Sequence, residues 1–171
     1  GDLWGVLEKL DYIKSLGCDG IWFSPIYPSP GADCGYDIAD YMDIAPEFGG
    51  MEAFKKVLEG AHERDMKIIM DLVINHTSTQ HPWFKAFTEA HRSGNTADKY
   101  YNYYSWAVNA GNPGTWRNIS GSADYYECNF SGDMPELNYD NEEVRQEMVA
   151  VAKYYLDLGV DGFRFDAAKY I

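Results

Sequence analysis

An eight-residue echo constrains this chain more than any other feature: LGCDGIWF at 16–23 returns as LGVDGFRF at 158–165. Each copy closes an amphipathic stretch with glycine, turns through Asp-Gly and enters an apolar run. Before the first copy, Leu3, Val6, Leu7, Leu10, Ile13 and Leu16 fall at helical spacing, with Asp2 placed to cap and Gly17 to stop the helix. Before the second, Val144, Met148, Val151, Tyr155 and Leu158 share one face. Asn141 is the cap there, and Glu142 and Glu143 lie in the first turn, where the helix dipole favours acids. A middle stretch, 51–64, groups Phe54, Val57, Leu58 and Ala61. Apolar runs at 20–24, 67–74 and 160–165 follow the three helices, continuous as strands covered on both faces are. Helix then strand, repeated, predicts an α/β fold built on a parallel sheet with right-handed crossovers.

Two segments interrupt this rhythm, and both follow a strand. Residues 25–50 are rich in Pro, Gly and Asp; residues 76–133 carry no sustained period and hold many Tyr, Asn, Ser and Gly. A connection that long is usually functional or a small subdomain. Strand C-terminal ends carry the site in a (β/α)₈ barrel and in an open doubly wound sheet alike, so the insertions leave that choice open.

The formal net charge of −13 excludes nucleic acid as a partner, since phosphate binding needs clustered Lys and Arg. No apolar run approaches the length of a membrane span. Aromatic residues make up 16% of the chain, with 14 Tyr; such rings stack on sugars, but core packing is the commoner use. Cys18, Cys34 and Cys128 form no CxxC pair, and at least one of them is unpaired.

The last strand holds the most telling pair. Arg164 and Asp166 are two apart and so point to the same side, while Phe163 and Phe165 point toward the covering helices. A guanidinium there would aim a carboxylate oxygen, as a nucleophile needs, though a plain ion pair explains the spacing equally well. The second strand ends Asp71-Leu72-Val73-Ile74-Asn75-His76, with Asp71, Val73 and Asn75 on one side. His81, the next histidine, lies too far along for a standard zinc pair with His76.

DLVINH at 71–76 and GFRFDAAKY at 162–170 resemble two signature blocks of the α-amylase superfamily of glycoside hydrolases. MPELN at 134–138, GYDIADY at 35–41 and the opening Gly1-Asp2-Leu3 resemble three more, in the family's order. The resemblance implies a partial (β/α)₈ TIM barrel, strands two to four with their helices, and an irregular subdomain inserted between strands three and four. Residues 1–75 would be the first part of the barrel, 76–133 the subdomain and 134–171 the continuation. It also implies roles: Asp166 as nucleophile, Arg164 as its orienting partner, Asp71 as a supporting carboxylate, His76 and Tyr36 as contacts to the sugar at the cleavage point. Lys169 would reach the sugar on the leaving-group side, and Asp33 would grip a terminal glucose. A calcium ion is implied at Asn75, Glu136 and the Tyr170 carbonyl, with tyrosine standing where relatives usually have histidine; other branches have lost this ion. Asn75, Asn118 and Asn129 each open a glycosylation sequon, and all three read as chance.

The activity implied is retaining hydrolysis of α-glucans or maltooligosaccharides, α-amylase-like. Retaining glycosidases need two carboxyl groups about 5–5.5 Å apart, one nucleophile and one acid. The family's acid is a Glu after the fifth strand, beyond Ile171. A whole barrel takes about 250 residues, so the expectation is an incomplete catalytic domain, inactive alone and prone to pair through open sheet edges. Rivals are an oligo-1,6-glucosidase-like enzyme, a trehalose-forming transglycosylase and a non-catalytic sugar-binding barrel. A phosphate-binding α/β enzyme is disfavoured, because the chain has no GxGxxG or GxxxxGK loop.

Overall fold

The computed structural model describes residues 1–110 and 114–171. The chain opens with helix α1 (Leu3–Ser15), strand β1 (Gly20–Phe23), helix α2 (Gly50–Glu63) and strand β2 (Lys67–Leu72). Helix α3 (Pro82–Ser93) and strands β3 (Trp106–Val108), β4 (Trp116–Asn118) and β5 (Asp124–Glu127) come next. Helix α4 (Glu142–Leu158) and strand β6 (Gly162–Phe165) return to the first pattern. β1, β2 and β6 form a parallel sheet in that order; β3, β5 and β4 form a separate antiparallel one.

The echo now has a physical cause. Asp2 caps α1 through Gly5 N–H at 2.8 Å, and Asn141 caps α4 through Glu143 N–H at 3.0 Å. Gly17 and Gly159 follow these helices at φ of +82° and +109°, where a side chain would be strained. Gly20 starts β1 so close to β2 that a Cβ would lie 3.0 Å from the Lys67 carbonyl. In the second copy, Asp161 binds β2 from outside the sheet. Its Oδ2 accepts from Ile68 N–H at 2.9 Å and lies 2.8 Å from His62 Nε2, while Oδ1 meets Lys67 Nζ at 3.0 Å.

Ile68, Met70 and Leu72 face the helices and are fully buried with Leu10, Phe54, Val57, Val151 and Tyr155. Each such side chain contributes roughly 1.5–3 kcal/mol of burial. The opposite face carries Trp22, Ile69, Asp71 and Arg164, set side by side by the register Trp22↔Ile69 and Asp71↔Arg164. Trp22 is 52% exposed, so within this chain the sheet is covered on one face only. Phe165 departs from its expected burial: it is 52% exposed, because β6 is an edge strand with little packed beside its end.

The segment 76–133 is more ordered than its composition suggested. Helix α3 departs from the expected lack of period: Phe84, Phe87, Ala90 and His91 recur at helical spacing and are all buried. His81 caps it, accepting from Trp83 N–H through Nδ1 at 3.1 Å, and Pro82 starts it. His91, with no exposed side-chain surface, places Nδ1 2.7 Å from Asp124 and Nε2 3.0 Å from the Tyr101 carbonyl, fastening α3 to β5. Isolated bridges His76↔Glu136 and Tyr104↔Leu137 zip the segment back to β2.

Candidate active site

Register brings the first two groups together. Because Asp71 sits opposite Arg164, Nη1 of the arginine donates to Asp71 Oδ2 at 2.8 Å. The same nitrogen donates to Asp166 Oδ1 at 2.8 Å and lies 3.4 Å from the Tyr36 hydroxyl. Tyr36 donates in turn to Asp71 Oδ2 at 3.1 Å. Four residues from three chain segments thus share one polar knot. Arg164 also lies over the Trp22 ring, 5.5 Å from its centroid. Burial pushes the Asp71 carboxyl above the usual range, against the opposing pull of Tyr36 and Arg164. Burial and the nearby Asp71 push the Tyr36 phenol up.

Residues 73–76 leave the sheet, yet no carbonyl from 71 to 76 is stranded. Tyr27 donates to the Asp71 carbonyl at 3.0 Å and Asp166 N–H to that of Leu72 at 3.3 Å. Tyr41 serves both Val73 at 2.7 Å and His76 at 2.9 Å. Tyr139 donates to Ile74 at 2.6 Å and Leu137 N–H to Asn75 at 2.9 Å. Backbone polar groups this deep need such partners.

That framework presents His76. The Asn75 amide nitrogen lies 3.1 Å from His76 Nδ1, so Nδ1 is the acceptor and Nε2 carries the proton. Burial, which holds His76 below the usual imidazole range against the pull of Asp166, the Tyr36 backbone, Asp33 and Asp37, agrees with a neutral ring. His76 Nε2 and Asp71 Oδ1 are buried and have no hydrogen-bond partner among the described residues. One orphan donor and one orphan acceptor beside the Arg164 knot suit a ligand bearing hydroxyl groups, which give and take hydrogen bonds.

Asn75 is 2% exposed, so its sequon cannot serve as an acceptor. Its amide donates to Glu136 Oε2 at 2.5 Å, and Asn129 N–H donates to Oε1 at 3.1 Å. Burial lifts the Glu136 carboxyl to about 7. An acid so raised is what glycoside cleavage wants of its proton donor, but both oxygens are already engaged, behind His76.

The other expected site residues stand apart from the knot. Lys169 is exposed, with Nζ 4.7 Å from the Tyr170 ring centroid. Tyr170 packs its ring edge-on against Phe130, at 5.2 Å between centroids, and Phe130 leans on His76 at 5.3 Å. Asp33 is exposed on the loop that carries Tyr36. Sequence reasoning passed over Trp22, Phe130, Asp37 and the tyrosines behind residues 71–76. Only Trp22 had a readable signal, two residues past the Asp-Gly turn at the position Arg164 holds in the second copy.

Comparison with known proteins identifies the family. The family model for the alpha amylase catalytic domain matches residues 1–171. The chain is 46% identical over 182 residues to an oligo-1,6-glucosidase of Parageobacillus thermoglucosidasius, covering 100% of this chain and 32% of that protein. It is 44% identical over 173 residues to alpha-amylase 3 of Dictyoglomus thermophilum, covering 100% and 33%. The solved structure of Eubacterium rectale Amy13B superposes with a TM-score of 0.92 at 43% identity, covering 99% of this chain and 34% of that one. The chain therefore spans about a third of the length of the curated relatives it matches. With its family model matched from end to end and the Arg164–Asp71–Asp166 knot at its centre, this chain belongs to the alpha-amylase catalytic-domain family.

Proposed function

We propose that the chain forms one side of the active site of a retaining hydrolase of α-glucosides, a (β/α)₈ barrel whose second to fourth strands are β1, β2 and β6. The observation that carries this is Arg164 Nη1 held 2.8 Å from both Asp71 and Asp166, beside the unpartnered His76 Nε2 and Asp71 Oδ1. Asp166 attacks the anomeric carbon as the bond to the leaving oxygen breaks; an acid from outside residues 1–171 protonates that oxygen, and water then releases the sugar. Arg164 aims the nucleophile. His76 Nε2–H donates to a sugar hydroxyl, and Tyr36 offers its ring to the sugar face. Asp71 holds the other two in register.

Short α-glucosides are the favoured substrates. Asp33 lies exposed beside Tyr36, where a carboxylate can take the hydroxyls of a chain end, and the oligo-1,6-glucosidase resemblance supports the same reading. Lys169, exposed three residues past Asp166, is assigned to the sugar on the leaving-group side. Comparing turnover of isomaltose, maltotriose and soluble starch by the complete enzyme tests the choice. A slow fluorinated α-glucosyl donor, followed by peptide mass analysis, tests the nucleophile; label on any residue other than Asp166 defeats the proposal.

Calcium at Asn75, Glu136 and the Tyr170 carbonyl is a separate proposal, and the donor set argues against it. Both Glu136 oxygens accept N–H groups, and the Asn75 amide turns its nitrogen toward Glu136. A hard cation wants several free oxygens. No step above uses one.

A further inference from the structure

Asp37 is fully buried, yet the reaction above gives it nothing to do. It sits midway along the connection between β1 and α2. Its Oδ1 accepts from Ser29 Oγ at 2.8 Å and from Asp33 N–H at 3.0 Å, and its Oδ2 accepts from Ala32 N–H at 2.9 Å. Ser29 Oγ accepts from Gly31 N–H at 3.0 Å, so the carboxylate gathers Ser29, Ala32 and Asp33 directly and Gly31 through Ser29. The chain then doubles back. Tyr36 N–H donates to the Asp33 carbonyl at 2.9 Å, with Cys34 at φ +50° and Gly35 at φ +100°. A Cβ on Gly35 would lie 3.0 Å from the Pro25 carbonyl, so the loop passes tightly over its own root. The result is that Tyr36 reaches Asp71 and Arg164, and Asp33 stands exposed beside it.

We propose that Asp37 is the positioning residue of this sugar-binding loop: its carboxylate folds residues 29–36 into the shape that sets the Tyr36 ring and the Asp33 carboxyl at the mouth of the site. The proposal rests on the α-glucoside reading. A buried carboxylate with three N–H or O–H donors converging on it is acceptor-only, and that is the property the loop uses. An amide in its place has one acceptor atom and turns an NH₂ toward a backbone N–H. Asp37→Asn therefore keeps the volume and breaks the hub.

The experiment has two arms. In the complete enzyme, hydrogen exchange over residues 31–36 should quicken at least tenfold in Asp37→Asn, the equivalent of losing about one charge-assisted hydrogen bond. In the complete enzyme, kcat/KM for maltotriose should fall on the order of 100-fold, the usual cost of a misplaced binding group, at temperatures well below an otherwise similar Tm. Ser29→Ala, which keeps both backbone donors, should lose a smaller part, about two- to tenfold. Native kcat/KM in Asp37→Asn overturns the proposal, as does a fall in activity with unchanged loop exchange. Should Asp37→Asn fail to fold, Ser29→Ala decides alone: unchanged exchange at Ala32 and Asp33 together with native kcat/KM overturns it. Failure of the unsubstituted enzyme to cleave any α-glucoside would instead overturn the functional reading, while the exchange arm would still report on Asp37.

Discussion

Asp161→Asn should loosen the sheet in a way that depends on pH. Burial raises the Asp161 carboxyl, but the Ile68 amide, His62 and Lys67 outweigh it and hold the group down at about 2, against 3.8 for a free side chain. The side chain is 19% exposed, so most of this effect survives solvent screening, although Lys67 is well exposed. Each unit is worth 1.36 kcal/mol, which gives about 2 kcal/mol at neutral pH, a factor of roughly thirty in local opening. The sign follows from the depressed value. The stabilisation is complete above the unfolded-state value near 3.8 and is lost as pH falls through about 2. Hydrogen exchange of peptides covering 66–72 and 159–165, compared between native and variant at each pH, reads this directly. The ratio should be near thirty at pH 7 and shrink toward one at about pH 2. Equal exchange at pH 7, or a ratio that persists undiminished at the acid end, would refute the assignment of Asp161 as the clamp.

Arg164→Ala should lower kcat/KM of the complete enzyme by a factor on the order of 100–1000, because Asp166 loses its aiming donor and Asp71 keeps a buried charge; steady-state kinetics with retained secondary structure checks it. His91→Ala should weaken the α3–β5 fastening by about 1–3 kcal/mol, since the Asp124 carboxylate and the Tyr101 carbonyl each lose their ring partner. Limited proteolysis should then cut within 94–124 first. Chelator should leave Tm unchanged, because both Glu136 oxygens already accept N–H groups; a fall in Tm, reversed by calcium, would restore the cation.

The repeating helix-then-strand plan was legible because it rests on local chemistry. Asp2 and Asn141 cap where their side chains reach the first turn, and Gly17 and Gly159 stop where backbone must turn left-handed. Arg164 and Asp71 were readable as site candidates from strand positions and motif resemblance, and the parallel register sets them side by side. Helix α3 should have been found; its Phe84, Phe87 and His91 stripe was obscured by the polar residues around it. Asp37 could not have been found. An aspartate in a loop rich in Gly and Pro reads as a turn former, and only the folded path brings Ser29, Ala32 and Asp33 onto its two oxygens. The path of the chain to Lys169 was likewise hidden, because Ala167 adopts a left-handed conformation just after Asp166.

The phenols that serve the carbonyls of residues 71–76 have a consequence for alkaline solution. Burial pushes Tyr27, Tyr41 and Tyr139 well above the ordinary tyrosine range, so these hydroxyls stay protonated where free phenols have ionised. Stabilisation from a raised group is full below the free value near 10 and is lost as pH climbs from there through the folded one. The strand end that carries His76 should accordingly hold its shape in strong base until the whole domain gives way, and ultraviolet titration should record these tyrosines ionising together with unfolding rather than before it.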